Sequence, residues 1–566
     1  MNACTIKVSS AASLNTPSRL PSPQTKIAKP PYSDPSNVHS IQWIWSTPIN
    51  SMGINKVLVN HSTSRLHGGR NRVYTALEIA VFAAAACLRF YALALKPLHH
   101  DEGVNGIFFL RLFREGIYRY EAANYHGPTL YYFALITSSV NNLVFGGEGP
   151  STLAIRTVPV LFGIGIVRLA MGLRYRLGEV GAIFAAALLA LSPGMVYFSR
   201  DFIHEVPLVF FTLWFVVSLT RLYDTYHAKQ LLFATIALAL MFATKETAVL
   251  SLASIVTSAG IAQILLSQPI NFTLAQLGGR RRVVLVLAGT AGLFVVCIML
   301  FFSSFFGNFP QGLHEAVTTY SYWLRTGMAQ HKAPWYTYLN WLLREEPVTL
   351  VLGTCGTLLA LFQRRSRFAL FAGLWWLTLL FAYSVLPYKT PWILLNVLLP
   401  MSFSAGYAAE RLGNARFFVS GSVWRRQFPV SIMAGALLFT LYQSCRLNFY
   451  RYDDDRDVYP YVQTRREFLD LMQQVDRIAN IDGTKQYTSI VIMSPEYWPL
   501  PWYLRDYKNT GYFGKPIQTN ASLVIASVHQ LPELVPLLAD RYRLIGEYPL
   551  RSGVQLVLYA SNGTAQ

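Results

Sequence analysis

The sequence predicts an all-α polytopic membrane protein with a small α/β domain at its C-terminal end. Three observations lead there. Apolar runs of about 20 residues, the length that crosses a bilayer as a helix, recur along the chain; the clearest is VVLVLAGTAGLFVVCIMLFF, from Val283 to Phe302. Charged residues fill only 14% of the 566 positions, against about 25% in soluble proteins. The basic residues behind the net charge of +19 cluster in short gaps between apolar runs: RYR at Arg174, GGRRR at Gly278, QRRSR at Gln363 and VWRRQ at Val423. That is the positive-inside pattern. No basic domain stands clear of the membrane, which argues against a nucleic-acid partner. The five cysteines are scattered, with Cys87, Cys297 and Cys355 inside apolar runs, so neither a disulfide framework nor a CxxC metal site is readable.

Residues 1–70 are rich in Ser, Pro and Asn, contain one acid, Asp34, and read as a disordered extension. Residues 71–446 form the membrane domain. Its first span, roughly Tyr74 to Lys96, follows RLHGGRNR, so LKPLHHDEGVNG should emerge on the outer side. The 129–147 stretch, TLYYFALITSSVNNLVFGG, is shorter and interrupted by Ser and Asn. If it crossed the membrane, every later basic loop would flip outward, so it is read as a helix lying in the outer interface. Spans near 152–173, 178–197, 206–223, 229–244, 248–267, 283–302, 346–363, 368–386, 391–411 and 428–446 bring the total to roughly eleven by a 19-residue hydropathy criterion. Residues 447–566 then lie outside. There TRREFLDLMQQVDRIAN opens with a capping box, Thr464 and Glu467, ahead of an amphipathic helix. TSIVIM, ASLVIAS and VQLVLYA read as buried strands and LPELVPLLADRY as a second helix.

With sidedness set by basic loops alone, the acids provide independent information. Asp101, Glu102, Asp201, Glu205, Glu246, Glu345 and Glu346 all fall on the outer side, with His99, His100, His126, His204, His331, Arg200, Lys245, Lys332 and Lys389. Each motif alone has a bland reading. HHDEG can be a solvated helix end; SRDFIHE, with Asp201 and Glu205 on one helical face, an interfacial cap; the lysine of ATKETA can snorkel; and YHGP, QHKAPWYTY and LPYKTPW an aromatic belt. The convergence of the set is the signal. A lipid-phosphate sugar donor has a phosphate leaving group, which needs cations rather than a strong acid. A carboxylate can deprotonate an acceptor hydroxyl for in-line attack on the anomeric carbon. Glycosyl transfer from a polyprenyl carrier uses every part.

The Asp–Glu pair in the first outer loop resembles that of the GT-C membrane glycosyltransferases, including protein O-mannosyltransferases and lipid A aminoarabinose transferases. So do the amphipathic NGIFFLRLFREGIYRY after it, the YHGP segment, LSPGMVYFSRDFIHE, FATKET and QHKAPWYTYL, over roughly residues 75–345. LPYKTPWILLN, YVQTRREF and WPLPWYLRDY more narrowly resemble the flippase-activity-associated proteins of archaeal-type glycosylation, a likeness running nearly to the C-terminus. The resemblance implies that Asp101 is the catalytic base. Glu205 stands where many relatives have Asp, and His126 where a basic residue or Pro is more usual.

The expectation is therefore an inverting hexosyl- or pentosyltransferase in the cytoplasmic membrane, with its active site and C-terminal domain on the extracytoplasmic face. The donor is a polyprenyl-phosphate-linked sugar and the acceptor a protein, lipid or glycan. Asp101 is the base and Glu102 positions the acceptor. Arg200, Lys245 and Lys389 are phosphate ligands. His100, His126, Asp201, Glu205, Glu246, His331, Lys332 and Tyr388 line the sugar site. Some members of the resembled family use a divalent metal and others none; a divalent metal (Mg or Mn), if used, would sit at Asp101 and Glu205. The rival is a non-catalytic or transport component of lipid-linked glycan flipping. Transporters place ionisable groups near the midplane of repeated halves, whereas here they gather at helix ends and no internal repeat is visible. The topology is directly testable: cysteines introduced near Gly279 and Ser366 should react only from the cytoplasm, and one near Gly483 only from outside. Reaction of the last from the cytoplasm alone would mean a span count wrong by an odd number.

Overall fold

A computed structural model of the chain describes residues 72–563, apart from 125, 148, 267–275, 277, 327–331, 416–421 and 482–484. The predicted extension, residues 1–70, lies outside them. The first half runs α1 (Arg72–Phe90), α2 (His100–Glu115), α3 (Thr129–Phe145), α4 (Thr152–Met171), α5 (Arg174–Leu177), α6 (Glu179–Leu191), α7 (Pro193–Phe198) and α8 (Glu205–Thr225). It continues through α9 (Ala228–Phe242), α10 (Ala248–Leu266), α11 (Arg280–Phe302) and α12 (Gln311–Thr326). Then come α13 (Thr337–Glu345), α14 (Pro347–Gln363), α15 (Arg367–Val385), α16 (Leu394–Gly413) and α17 (Val423–Cys445).

Among the described residues eight helices are long and apolar enough to cross a membrane: α1, α4, α8, α10, α11, α15, Pro391–Gly413 and Val423–Tyr450. A ninth arises if α13 and α14, bent by 112° where they meet, are taken as one span. α6 and α9 are apolar but shorter. Together these occupy the eleven positions that hydropathy predicts. α3 is 17 residues long and packs along α2 and α4. The Pro391–Gly413 helix forms the centre of the bundle, nearly all of it buried, whereas α11 lies at the rim. Small residues let the central helices approach backbone to backbone: Gly181 of α6 faces Gly406 of α16, and Gly356 of α14 faces the Ser404 carbonyl. Without water to drive helices together, such close packing is what holds them in lipid.

The remaining chain folds around a mixed sheet. It comprises α18 (Phe468–Ile481), β1 (Ile490–Ile492), α19 (Leu500–Tyr503), β2 (Thr510–Tyr512), β3 (Leu523–Ser527), α20 (Leu531–Leu538), β4 (Tyr542–Arg551) and β5 (Val554–Ser561). The strand order is β2-β1-β3-β5-β4, with β1 parallel to both neighbours and β5 antiparallel to β3 and β4. β3 alternates its faces as a strand must. Leu523 and Ile525 pack with Phe468, Leu471 and Val475 of α18, while Val524 and Ala526 meet Leu534 and Leu538 of α20.

This sheet is one compact unit with the helices, and it meets them at Leu98, along α2 and at the start of α4. The Leu98 N–H donates to the Tyr503 hydroxyl at 3.0 Å, and the Thr464 hydroxyl donates to the Leu98 carbonyl at 2.7 Å. Trp502 is fully buried and donates its indole N–H to the Thr152 hydroxyl at 3.1 Å. Gly103 and Gly106 make room for this contact. A Cβ at Gly103 would stand 2.6 Å from Pro499 Cβ and 2.8 Å from its Cα; one at Gly106 would stand 2.5 Å from the Trp502 ring. Because Pro499 presents backbone there, it cannot swing aside. Gly103→Ala should therefore cost about 1–3 kcal/mol, the usual penalty of overpacking, seen as a lowered melting temperature in detergent. Gly289→Ala, where nothing lies within 4 Å, should not. Equal melting of the two variants would mean that the sheet does not bear on α2.

Candidate active site

The first turn of α2 sets the directions of the two adjacent acids. His99 is its N-cap, and a capping box closes it: His99 Nδ1 accepts from the Asp101 N–H at 3.0 Å, and Glu102 Oε2 accepts from the His99 N–H at 2.9 Å. Both acids lie in that turn, where the helix dipole favours negative charge. Since Nδ1 accepts, His99 carries its proton on Nε2 and donates it to the Tyr461 carbonyl at 2.9 Å. Successive helix positions point about 100° apart, so the two acids diverge. Asp101 faces a cavity of about 880 Å³, whereas Glu102 faces the protein interior.

Glu102 is completely buried. Its Oε1 accepts from Arg156 Nε at 2.8 Å and from the Phe202 N–H at 2.8 Å. Its Oε2 accepts from Arg156 Nη2 at 2.7 Å as well as from His99. Arg156 spends its other N–H groups on the carbonyls of Leu93, Lys96 and Pro97 at 3.0–3.2 Å. Burial alone would push the Glu102 carboxyl up, but Arg156 holds it below the usual range. Beside this pair, Lys96 and Asp201 form a second buried ion pair, with the Lys96 ammonium 3.4 Å from the centre of the Tyr197 ring.

The cavity is walled by charged residues from several loops. His100, Asp101, His126, Glu205, Lys245, Glu246 and Tyr388, all expected at the site, line it. Lys245 and Glu205 form an ion pair, and His126 Nδ1 lies 3.0 Å from Glu246 Oε2. A backbone bridge between His126 and Lys245 joins the two loops. Burial disfavours the Lys245 ammonium, but Glu205 and Glu246 more than offset this and hold its pKa above the ordinary value. Burial pushes His100 down to about 4, against the pull of Asp101; it is a neutral ring at pH 7. The Asp101 carboxylate makes no hydrogen bond or ion pair with the described residues.

Several expected ligands lie elsewhere. Arg200 donates to the carbonyls of Leu88, Arg89, Tyr91 and Ala92, capping the end of α1. Lys389 is buried and donates to the carbonyls of Tyr383, Ser384 and Leu386 at the end of α15. Both meet the carbonyls that a helix C-terminus leaves unpaired, so neither is a phosphate ligand in this geometry. Asp201 is held by Lys96, and Glu102 by Arg156; neither lines the cavity. Lys332 is exposed and bridges Tyr388 through its backbone, outside the cavity wall. His331 lies outside the described residues. A divalent ion at Asp101 and Glu205 does not fit this donor set: Glu205 is already paired with an ammonium. Among the described residues no three His, Cys, Asp or Glu side chains stand close enough to share an ion.

Sequence reasoning missed Arg156 and Lys96, which look like ordinary span-end cations, and the contribution of the C-terminal domain. Tyr461, Glu496 and Arg551 line the same cavity as Asp101 although they lie hundreds of residues away. Only the YVQTRREF resemblance touches one of them.

Comparison with known proteins agrees with this architecture. Residues 125–296 match the family model described as dolichyl-phosphate-mannose-protein mannosyltransferase, less than half of the chain. No curated protein sequence matches the chain significantly. The crystal structure of ArnT from Cupriavidus metallidurans bound to undecaprenyl phosphate superposes with a TM-score of 0.55 at 14% identity, covering 87% of this chain and 98% of that one. The apo form of ArnT gives a TM-score of 0.57 at 13% identity, covering 87% and 99%. The archaeal oligosaccharyltransferase AglB from Archaeoglobus fulgidus scores 0.49 at 13% identity, over 81% of this chain and 70% of that one. The chain is a polytopic membrane protein that shares the fold of ArnT.

Proposed function

We propose that the protein transfers a sugar from a polyprenyl-phosphate donor to an acceptor hydroxyl, with inversion at the anomeric carbon. The observation that carries this reading is the pairing, in one cavity, of an unengaged carboxylate, Asp101, with a fixed cation, Lys245. The fold likeness to a protein solved with undecaprenyl phosphate supports it. In the reaction, Asp101 takes the acceptor proton as the acceptor oxygen bonds to the anomeric carbon. The bond from that carbon to the phosphate oxygen breaks, and polyprenyl phosphate leaves with one more negative charge. Lys245 meets that charge, so no acid is needed for the departing group. The Glu205 carboxylate keeps the ammonium in place, and neutral His100 offers a hydrogen bond without competing for the phosphate. The site is assigned to the extracytoplasmic face of the cytoplasmic membrane, the side opposite the basic loops.

The two neighbouring acids make opposite predictions. Asp101→Asn keeps shape and loses the base: turnover should fall on the order of 10²–10⁴-fold, with an unchanged melting temperature and donor affinity. Glu102→Gln leaves Arg156 buried without its counter-charge and should cost about 3–5 kcal/mol of stability. Transfer assays and thermal melts on both variants separate the roles. Full transfer by Asp101→Asn would remove it as the base, and a normal melt for Glu102→Gln would show that the buried pair does not hold the loop.

A further inference from the structure

The cavity wall carries two ion pairs besides Asp101. One is Lys245 with Glu205, from the helical bundle. The other is supplied by the sheet: Arg551, the last residue of β4, and Glu496, in the turn after β1. They form an ion pair whose arginine side chain is 10% exposed and whose glutamate is 50% exposed. The backbone holds both in place. The Ser494 hydroxyl donates to the Glu496 carbonyl at 2.8 Å and accepts from its N–H at 3.2 Å. Arg551 stands at the mouth of the two-residue Ser552–Gly553 turn, where Gly553 takes φ +75°, a value that suits glycine. Arg551 Nη1 also donates to the Trp498 carbonyl at 3.3 Å. His100 connects this pair to the base: its ring lies 6.2 Å from that of Trp498, and both Asp101 and Arg551 act on its charge.

The chemistry of this pair differs from that of the other. Lys245 is a buried point charge suited to phosphate. At the sheet, a half-exposed carboxylate lies beside the guanidinium, so the pair presents an acceptor as well as donors. A carboxylate and a guanidinium side by side accept from one hydroxyl and donate to its neighbour. Trp392 and Tyr461, with ring centres 6.2 Å apart, add aromatic faces to the same cavity. Vicinal hydroxyls on a ring with an apolar face describe a pyranose. A serine or threonine side chain offers one hydroxyl and no ring face to these aromatics.

We propose that Arg551 and Glu496 form the acceptor subsite and that the acceptor hydroxyl is carried by a sugar residue. This rests on the transferase reading and adds the class of acceptor. The donor enters from the bundle side, its phosphate at Lys245; the acceptor sugar enters under the sheet, and its hydroxyl reaches Asp101 past His100.

The test uses the full chain in lipid nanodiscs and diazirine-tagged methyl hexopyranosides of gluco, galacto and manno configuration. Labelled positions are mapped by mass spectrometry, and undecaprenyl phosphate binding is measured in parallel. At least one pyranoside should label the segment around Glu496 or Arg551 saturably, and untagged pyranoside should compete. Arg551→Gln and Glu496→Gln should each reduce labelling roughly tenfold or more, as expected for a lost hydrogen bond to a charged group, while undecaprenyl phosphate binding stays unchanged. Glu496, being half-exposed, guards against a folding defect in the Arg551 variant. Absence of pyranoside labelling, competition by Ser/Thr peptides but not by sugars, or loss of undecaprenyl phosphate binding in Arg551→Gln would each overturn the assignment. Failure of the unaltered protein to bind undecaprenyl phosphate would instead count against the transferase reading.

Discussion

The geometry of the site depends on the buried pair of Glu102 and Arg156. A carboxylate and a guanidinium removed from water are tolerable only when nearly every lone pair and N–H is matched, and here they are. Four donors serve the two Glu102 oxygens. The remaining Arg156 donors bind three carbonyls of the 93–97 segment. The pair thus ties the first loop, the start of α2, α4 and the loop at Phe202 into one rigid piece. Asp101 is carried on that piece without being used by it, which leaves a carboxylate unengaged at the cavity wall.

Charge in this protein has two distinct uses. Arg89, Arg200 and Lys389 are buried against helix-end carbonyls: Arg89 donates to those of Leu189 and Ala190 where α6 stops before Pro193, and the other two close α1 and α15. These cations satisfy backbone groups that lipid cannot. Lys245 and Arg551 instead pair with single carboxylates at the cavity, where part of their field remains available to a ligand. The same residue types therefore serve either the fold or the chemistry, according to what stands opposite them.

That duality explains how much was legible in the sequence. The spans come from hydropathy, because that is a local property. Lys245, Glu205, His126 and Glu246 were readable as a set because their loops end adjacent spans on one side. Arg200 and Lys389 were not distinguishable from them, since a lysine at a helix end has the same sequence whether it caps carbonyls or faces a ligand. Asp101 and Glu102 are adjacent, and only the direction of the helix assigns one to the cavity and the other to Arg156. Arg551 and Glu496 carried no local signal; the docking of Pro499 and Trp502 on two glycines of α2 brings them to the site.

The central claim is that a lipid-linked sugar is consumed at Asp101 with its phosphate at Lys245. It is tested most directly by incubating the purified protein with a panel of labelled polyprenyl-phosphate sugars and measuring release of polyprenyl phosphate. The account predicts that at least one donor is turned over, yielding a product of inverted anomeric configuration, and that Lys245→Gln combined with Glu205→Gln weakens binding of that donor. Binding and turnover of none of them, or a product of retained configuration, would contradict it.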